Sequence, residues 1–221
     1  MKSNHLLAAA IILSSLLTGK PLFAVEPDLS TPKNAVLSFY KTKDSGDTNA
    51  LKQVVTFVDP KAFDLVSENS TAVYQMQRLH GLIEKKFGKE EADRIIHMGK
   101  RDLKPVEAGK ESINGNVATF TKQGEDEPAF YLNKIDGKWK IDLSKMKEVQ
   151  VPASDLEFAI ARMSIMARGF RSTADDLEKG VISSTGKEIK TPDDLLDDLN
   201  MNIQKSIPET DDKKSGEEKK P

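Results

Sequence analysis

The residues able to do chemistry are few. The chain has three histidines and no cysteine. Without thiols there are no disulfide frameworks, thiolate metal sites, iron–sulfur clusters or thiol catalysis. His5 lies in an apolar leader, which leaves His80 and His97. A general base needs a titratable group in a cleft with a partner that tunes it. His80 stands beside Val73, Met76, Leu79 and Ile83, in a segment that also carries Tyr74 and Arg78. His97 follows Ile95 and Ile96. Neither belongs to an H-E-x-x-H or other zinc spacing. Surface or boundary positions account for both. Asp64 and Glu68 lie four apart on an expected helix, as do Asp193 with Asp197 and Asp194 with Asp198. Carboxylates so spaced can hold a proton or a cation. Asp193 and Asp194, however, open a helix, where the dipole favours negative charge. No Asp-rich calcium loop is present. The expectation is no metal and no cofactor. If the chain catalyses a reaction, Asp64, His80 and His97 are the residues to test.

Charge narrows the partners. There are 33 Lys and Arg against 35 Asp and Glu, a net −2, which argues against a nucleic-acid binder. Lys85, Lys86 and Lys89 are interleaved with Glu84, Glu90 and Glu91, the pattern of a solvated face. Trp139 between Lys138 and Lys140 resembles a stacking platform, but the hairpin register below turns it into the core. Phe158, Met163, Met166 and Phe170 give one late helix an adaptable apolar side. Packing on the sheet is the expectation for that helix. Closing a cavity or binding a partner is the alternative.

The elements that must position these residues follow from periodicity. Residues 1–24 have the order of a secretory signal peptide. A short start with Lys2 precedes an apolar run from Leu6 to Leu17, and Leu22-Phe23-Ala24 precedes Val25. That run is short of the roughly 20 residues a membrane span needs. The expectation is a secreted or periplasmic protein with no membrane span after cleavage. Thr31-Pro32 opens a helix carrying Ala35, Val36, Phe39 and Tyr40, and Gly46 stops it. Asp47 caps a second helix whose apolar set is Leu51, Val54, Val55 and Val58, broken at Asp59-Pro60. Residues 61 to 98 read as helical, with Val73, Met76, Leu79, Ile83 and Phe87 on one stripe. Gly88 is a stop, and Gly99 closes a short set of Ala92, Ile95 and Ile96.

The period then changes from 3.6 to 2. Asn114-Gly115 and Asp136-Gly137 are type I′ turn signals. A two-residue loop at Asp136-Gly137 sets Ile135 opposite Lys138 and Leu132 opposite Ile141. Phe130, Leu132, Trp139, Ile141 and Leu143 then share one face. Tyr131, Asn133, Lys138, Lys140 and Asp142 share the other. An antiparallel sheet of three or four strands is expected between about 103 and 144. Ser154 to Glu157 reads as a capping box, followed by Leu156, Ile160, Met163, Ala167 and Phe170. Thr191-Pro192 opens a last helix carrying Leu195, Leu196, Leu199 and Ile203. Residues 207–221 are almost free of large apolar side chains and read as a disordered, charge-balanced tail.

One family fits this layout. The "A-V-x-x-F-Y" helix with its Gly46-Asp47 turn, the Asn114-Gly115-Asn116-Val117-Ala118 turn and the run from Phe130 to Ile141 resemble the NTF2-like superfamily. They are most similar to its secreted bacterial branch. The resemblance covers about residues 31–144. It implies an α+β cone, a bent antiparallel sheet wrapped on the N-terminal helices, with a cavity at the open end. Phe39, Tyr40 and Tyr74 are the residues expected to line that cavity. A helical insertion at about 60–100 and helices at 151–206 extend a domain of residues 25–150. The family implies two functions. One is a non-enzymatic module of the cell envelope that binds a small apolar ligand or an envelope protein. The other is a cofactor-free isomerase- or dehydratase-type enzyme. Homodimers through the sheet are common in such domains.

Overall fold

The computed structural model describes residues 26–99 and 102–208. The expected signal segment and all but the start of the expected tail lie outside the described residues. Local chemistry sets the first elements. The Thr31 hydroxyl accepts from the Asn34 amide at 3.1 Å and starts helix α1, Pro32–Ser45. Gly46, at φ 67°, ends it in the left-handed region. Asp47 caps α2, Thr48–Val54. Asp59 and Pro60 then start α3, Pro60–Phe87, whose 28 residues span about 42 Å. Helix α4 is Lys89–Ile95, α5 is Lys104–Glu107, α6 is Ala153–Lys179 and α7 is Pro192–Ser206. The capping box at Thr191 is complete, closed by Asp194 at the third helical position.

The strands are β1 (Val55–Thr56), β2 (Lys110–Asn114), β3 (Val117–Thr121), β4 (Phe130–Ile135) and β5 (Lys138–Asp142). They form one five-stranded sheet in the order β1-β5-β4-β3-β2. The architecture is α+β. Around the second turn, Asp136 and Gly137 both have positive φ, 49° and 76°, as a type I′ turn requires. Ile135 faces Lys138 and Leu132 faces Ile141, the register read from the sequence.

Four expectations need correction. First, the apolar set of α2 stops at Val54: Val55 and Thr56 leave the helix and pair in parallel with Ile141 and Asp142. The free edge of β5 supplies ladder partners for Val55 and Thr56 in place of the helical bonds they give up. Val58 is 89% exposed. Second, the first hairpin turns at Gly115-Asn116, one residue later than the sequence signal. Asn114 pairs with Val117, Gly115 has φ 60°, and the Asn116 carbonyl accepts from the Lys134 amide at 2.8 Å. Glycine at the first central position is the II′ pattern. Third, Ser154 does not cap α6. The helix starts at Ala153, and the Pro152 carbonyl accepts from the Asp155 and Leu156 amides. Fourth, α6 packs along α3 and α7 and not on the sheet.

The molecule has two cores, joined by α3. In the first, Val36, Phe39, Leu51 and Val54 meet the sheet residues Phe120, Leu132, Trp139 and Ile141, with Ala62 and Val66 from the first half of α3. In the second, Leu79 and Ile83 from its other half meet Ala92, Phe170, Ala174, Leu177, Leu195 and Leu199. Helices from before and after the sheet in sequence thus share one core. No helix among the described residues is long and apolar enough to cross a membrane.

Candidate functional site on the outer face of the sheet

The inner face of the sheet is used up by packing. Phe39 and Phe130 meet edge-on at 5.9 Å between ring centroids, Tyr40 and Phe130 at 5.8 Å, and Phe120 lies 6.4 Å from Phe130. Phe39 and Tyr40, expected as cavity residues, fill the space between α1 and the sheet. Tyr74 is elsewhere: it is half exposed on α3, against Gly46 at the end of α1.

The expected titratable residues are not brought together. Asp64 is exposed on the first half of α3, beside a shallow groove shared with Glu157 and Arg168 of α6. The His80 ring nitrogen Nε2 lies 3.0 Å from Asp93 Oδ1 and ties α3 to α4. Lys89 also binds Asp93, and these two partners, Lys89 foremost, hold its carboxyl below the usual range. His97 is exposed beyond the end of α4. Among the described residues, no group of three or more His, Asp and Glu could hold a metal ion.

The outer face of the sheet has a different composition. The strand register places two rows of side chains at its centre, flanked by the pairs Lys110–Thr121 and Ile135–Lys138. One row runs Ser112, Thr119, Tyr131, with Asp142 one step past the Leu132–Ile141 pair. The other runs Asn114, Val117, Asn133, Lys140. Of the twelve positions on this face four are charged, Lys110, Lys138, Lys140 and Asp142, and the two central rows hold four neutral hydrogen-bonding residues around one aromatic ring. Asn is a poor strand former, so folding gains nothing from two of them. The polar groups are also held in place. Asn133 Nδ2 donates to Asp142 Oδ2 at 3.3 Å. Asp142 Oδ1 accepts from the Ser144 amide at 3.1 Å and from its hydroxyl at 2.6 Å.

This surface is hollow. A depression of about 250 Å³ is lined by Tyr131, Thr119, Val117 and Asn133 together with Ser112, Asn114, Asp142 and Lys145. Tyr131 and Lys145 also line a wide groove of about 1220 Å³ between the 122–129 loop and residues 145–150, where Lys122, Glu125, Asp126, Glu127, Lys147 and Glu148 make the lining mostly charged. The alternation of 130–142 already put Tyr131, Asn133 and Asp142 on one face. What the sequence did not supply was the register of β2 and β3, which adds Ser112, Asn114, Val117 and Thr119.

A second polar cluster lies between α6 and α7, and sequence reasoning missed it. Asp176 and Asp198 are both buried. The Ser183 amide and hydroxyl donate to Asp176. Asn202 Nδ2 donates to Asp198 Oδ2 and to Thr173 Oγ1, both at 3.1 Å. Asp198 Oδ1 has no partner. Burial first, and then the neighbouring Asp176 carboxylate, push the Asp198 carboxyl up to about 6. Asp194, the predicted companion of Asp198, lies outside this cluster: it caps α7 and pairs with Lys187 at 2.7 Å. No family model, curated protein or solved structure matches the chain.

Proposed function

We propose that the chain is an exported, non-enzymatic binding module of the NTF2-like kind, acting in the cell envelope through the outer face of its sheet. The observation that carries this is the division between the two faces. The inner face is packed with Phe39, Tyr40, Phe120 and Phe130, and the outer face carries an ordered polar grid over a hollow. These rings occupy the space between α1 and the sheet where an open cone would take a small apolar ligand. A carboxylate or histidine acting as general base would need a cavity around it, and Asp64 and His97 are exposed while His80 is engaged by Asp93. The apolar leader supports export, and the resemblance over residues 31–144 supports the family.

Native mass spectrometry tests the proposal on protein recovered from outside the cytoplasm. A retained mass that leaves on denaturation, and is missing from Tyr131→Ala, is the expected result. A bound mass unaffected at Tyr131 but lost on opening the interior with Phe39→Ala would overturn it.

A further inference from the structure

Helix α6 is covered along only half of one side. Phe158, Arg162, Ile165, Gly169, Thr173 and Asp176 recur at three- and four-residue steps and so form one stripe. Helix α7 covers the later part. Gly169 lies against Ile203, Asn202 Nδ2 donates to Thr173 Oγ1, and Asp176 neighbours Asp198. The cover stops where Arg168 Nη2 donates to the Ser206 carbonyl at 2.8 Å. The earlier part is open. Phe158 is 70% exposed, Asp155 and Arg162 are exposed, and Ala161 and Ile165 line a groove of about 360 Å³ beside α3. Val151 and Ile207, exposed as well, stand near the two ends of this stretch.

The order of charges names the occupant. Asp155, Phe158 and Arg162 read acid, ring, base, and turned end for end they read base, ring, acid. The stripe is therefore its own complement across a two-fold axis at Phe158. The Asp155 carboxylate accepts from the Ser154 hydroxyl at 3.3 Å, and neither it nor Arg162 forms an ion pair among the described residues. Other occupants fit less well. Residues 209–221 carry no large apolar side chain to set on Phe158. Anionic lipid headgroups would be repelled by Asp155, Glu157 and Asp64 along the same edge.

We infer that α6 pairs with the α6 of a second copy, antiparallel about Phe158. Asp155 of each copy then meets Arg162 of the other, and the two Phe158 rings pack between these ion pairs. Ala161, on the same side, is small enough to let the helices approach. Helix α6 packs on α3 and α7, so this dimer leaves the outer face of the sheet free in both copies. One helix pair buries less than the roughly 1,200 Å² of a standard interface, so the dimer is weak, dissociating at about 10–100 µM.

The test is sedimentation velocity of protein recovered from outside the cytoplasm, at about 1–500 µM. A monomer–dimer equilibrium is expected. Phe158→Ala should weaken it by about tenfold or more, and Tyr131→Ala should leave it within about twofold. Asp155→Arg and Arg162→Asp should each weaken it by about fivefold. An equimolar mixture of those two variants should pair as well as the parent, because only unlike copies then set opposite charges against each other. A gain on mixing cannot come from a folding defect. A chain that is still monomeric at about 500 µM overturns the inference. So does a dimer that Phe158→Ala leaves intact; if Tyr131→Lys dissolves it, the contact is on the sheet. A mixture no better than its two components overturns the antiparallel pairing. Binding to phosphatidylglycerol vesicles that Phe158→Ala abolishes, with no dimer in solution, makes the stripe a membrane contact, and the inference falls.

Discussion

Trp139 and Tyr131 lie on neighbouring strands and face opposite ways, and their energetics differ accordingly. The Trp139 ring is 3% exposed, its amide donates to the Leu29 carbonyl at 2.9 Å, and the Lys134 ammonium stands 5.5 Å over the ring. The large apolar area it buries makes it a main support of the first core. Trp139→Ala should cost about 3–5 kcal/mol in urea melts, as truncation of a large buried aromatic does. A loss under about 1 kcal/mol would mean that the ring is not packed where the register puts it. Tyr131→Ala, by contrast, should shift the melt by under about 1 kcal/mol, because the ring is already open to water. Binding lost at Tyr131 can therefore be read as recognition and not as unfolding.

The same glycine substitution should have opposite signs in two helices. Gly81 sits in α3 with nothing within 4 Å of where a methyl group would go. Gly81→Ala should stabilise by about 0.5–1 kcal/mol, the helix-propensity difference. Gly169 sits in α6 where a methyl group would lie 2.6 Å from Ile203 Cγ1 and 3.1 Å from its Cα. Gly169→Ala should destabilise by about 1–3 kcal/mol, because α7 cannot come so close to α6. Thermal melts of the two variants check both signs, and equal shifts would mean that α6 and α7 do not cross closely at Gly169. This crossing also shows what was legible in the sequence. Caps at Thr31, Asp47 and Thr191 and the Asp136-Gly137 turn are local, fixed by residues within four positions, and the sequence displays them. The pairing of Val55 with Ile141 and the docking of α6 on α3 join distant segments, and no local periodicity encodes them. The outer grid was half legible for the same reason. Tyr131, Asn133 and Asp142 come from one hairpin, whereas Ser112 and Thr119 enter only through the pairing of β2 with β3 and of β3 with β4.

At the scale of the whole molecule, the two cores should respond differently to pH. The first is built from apolar side chains, with Ser38 and Thr42 its buried polar neighbours on α1, and contains no carboxyl group. The second is closed by α7, whose Asp198 lies against Asp176, with Thr173 from α6 and Asn202 and Lys205 from α7 around them. The Asp198 carboxyl is raised from 3.8 to about 6 by burial and by Asp176. The folded chain therefore holds a proton that the unfolded chain has released between about pH 4 and 6. By linkage its stabilisation is complete below about pH 4 and is lost as pH rises through 6, an effect on the order of 2 kcal/mol. Asp194 works in the other sense. Lys187, and then Thr191, lower its carboxyl, so its contribution is present above about pH 4 and is lost in stronger acid. Together these give a stability maximum near pH 4, with the α6–α7 unit loosening toward neutral pH. Asp198→Asn removes the charge that the buried site cannot satisfy. It should raise the melting temperature at pH 7.5 and flatten the profile between pH 5 and 7.5, while leaving stability at pH 4 nearly unchanged. Hydrogen exchange then assigns the effect: amides of α6 and α7 should gain protection in the variant at pH 7.5, and those of β3, β4 and β5 should not. A profile that stays as steep in the variant as in the parent would place the pH-sensitive group elsewhere.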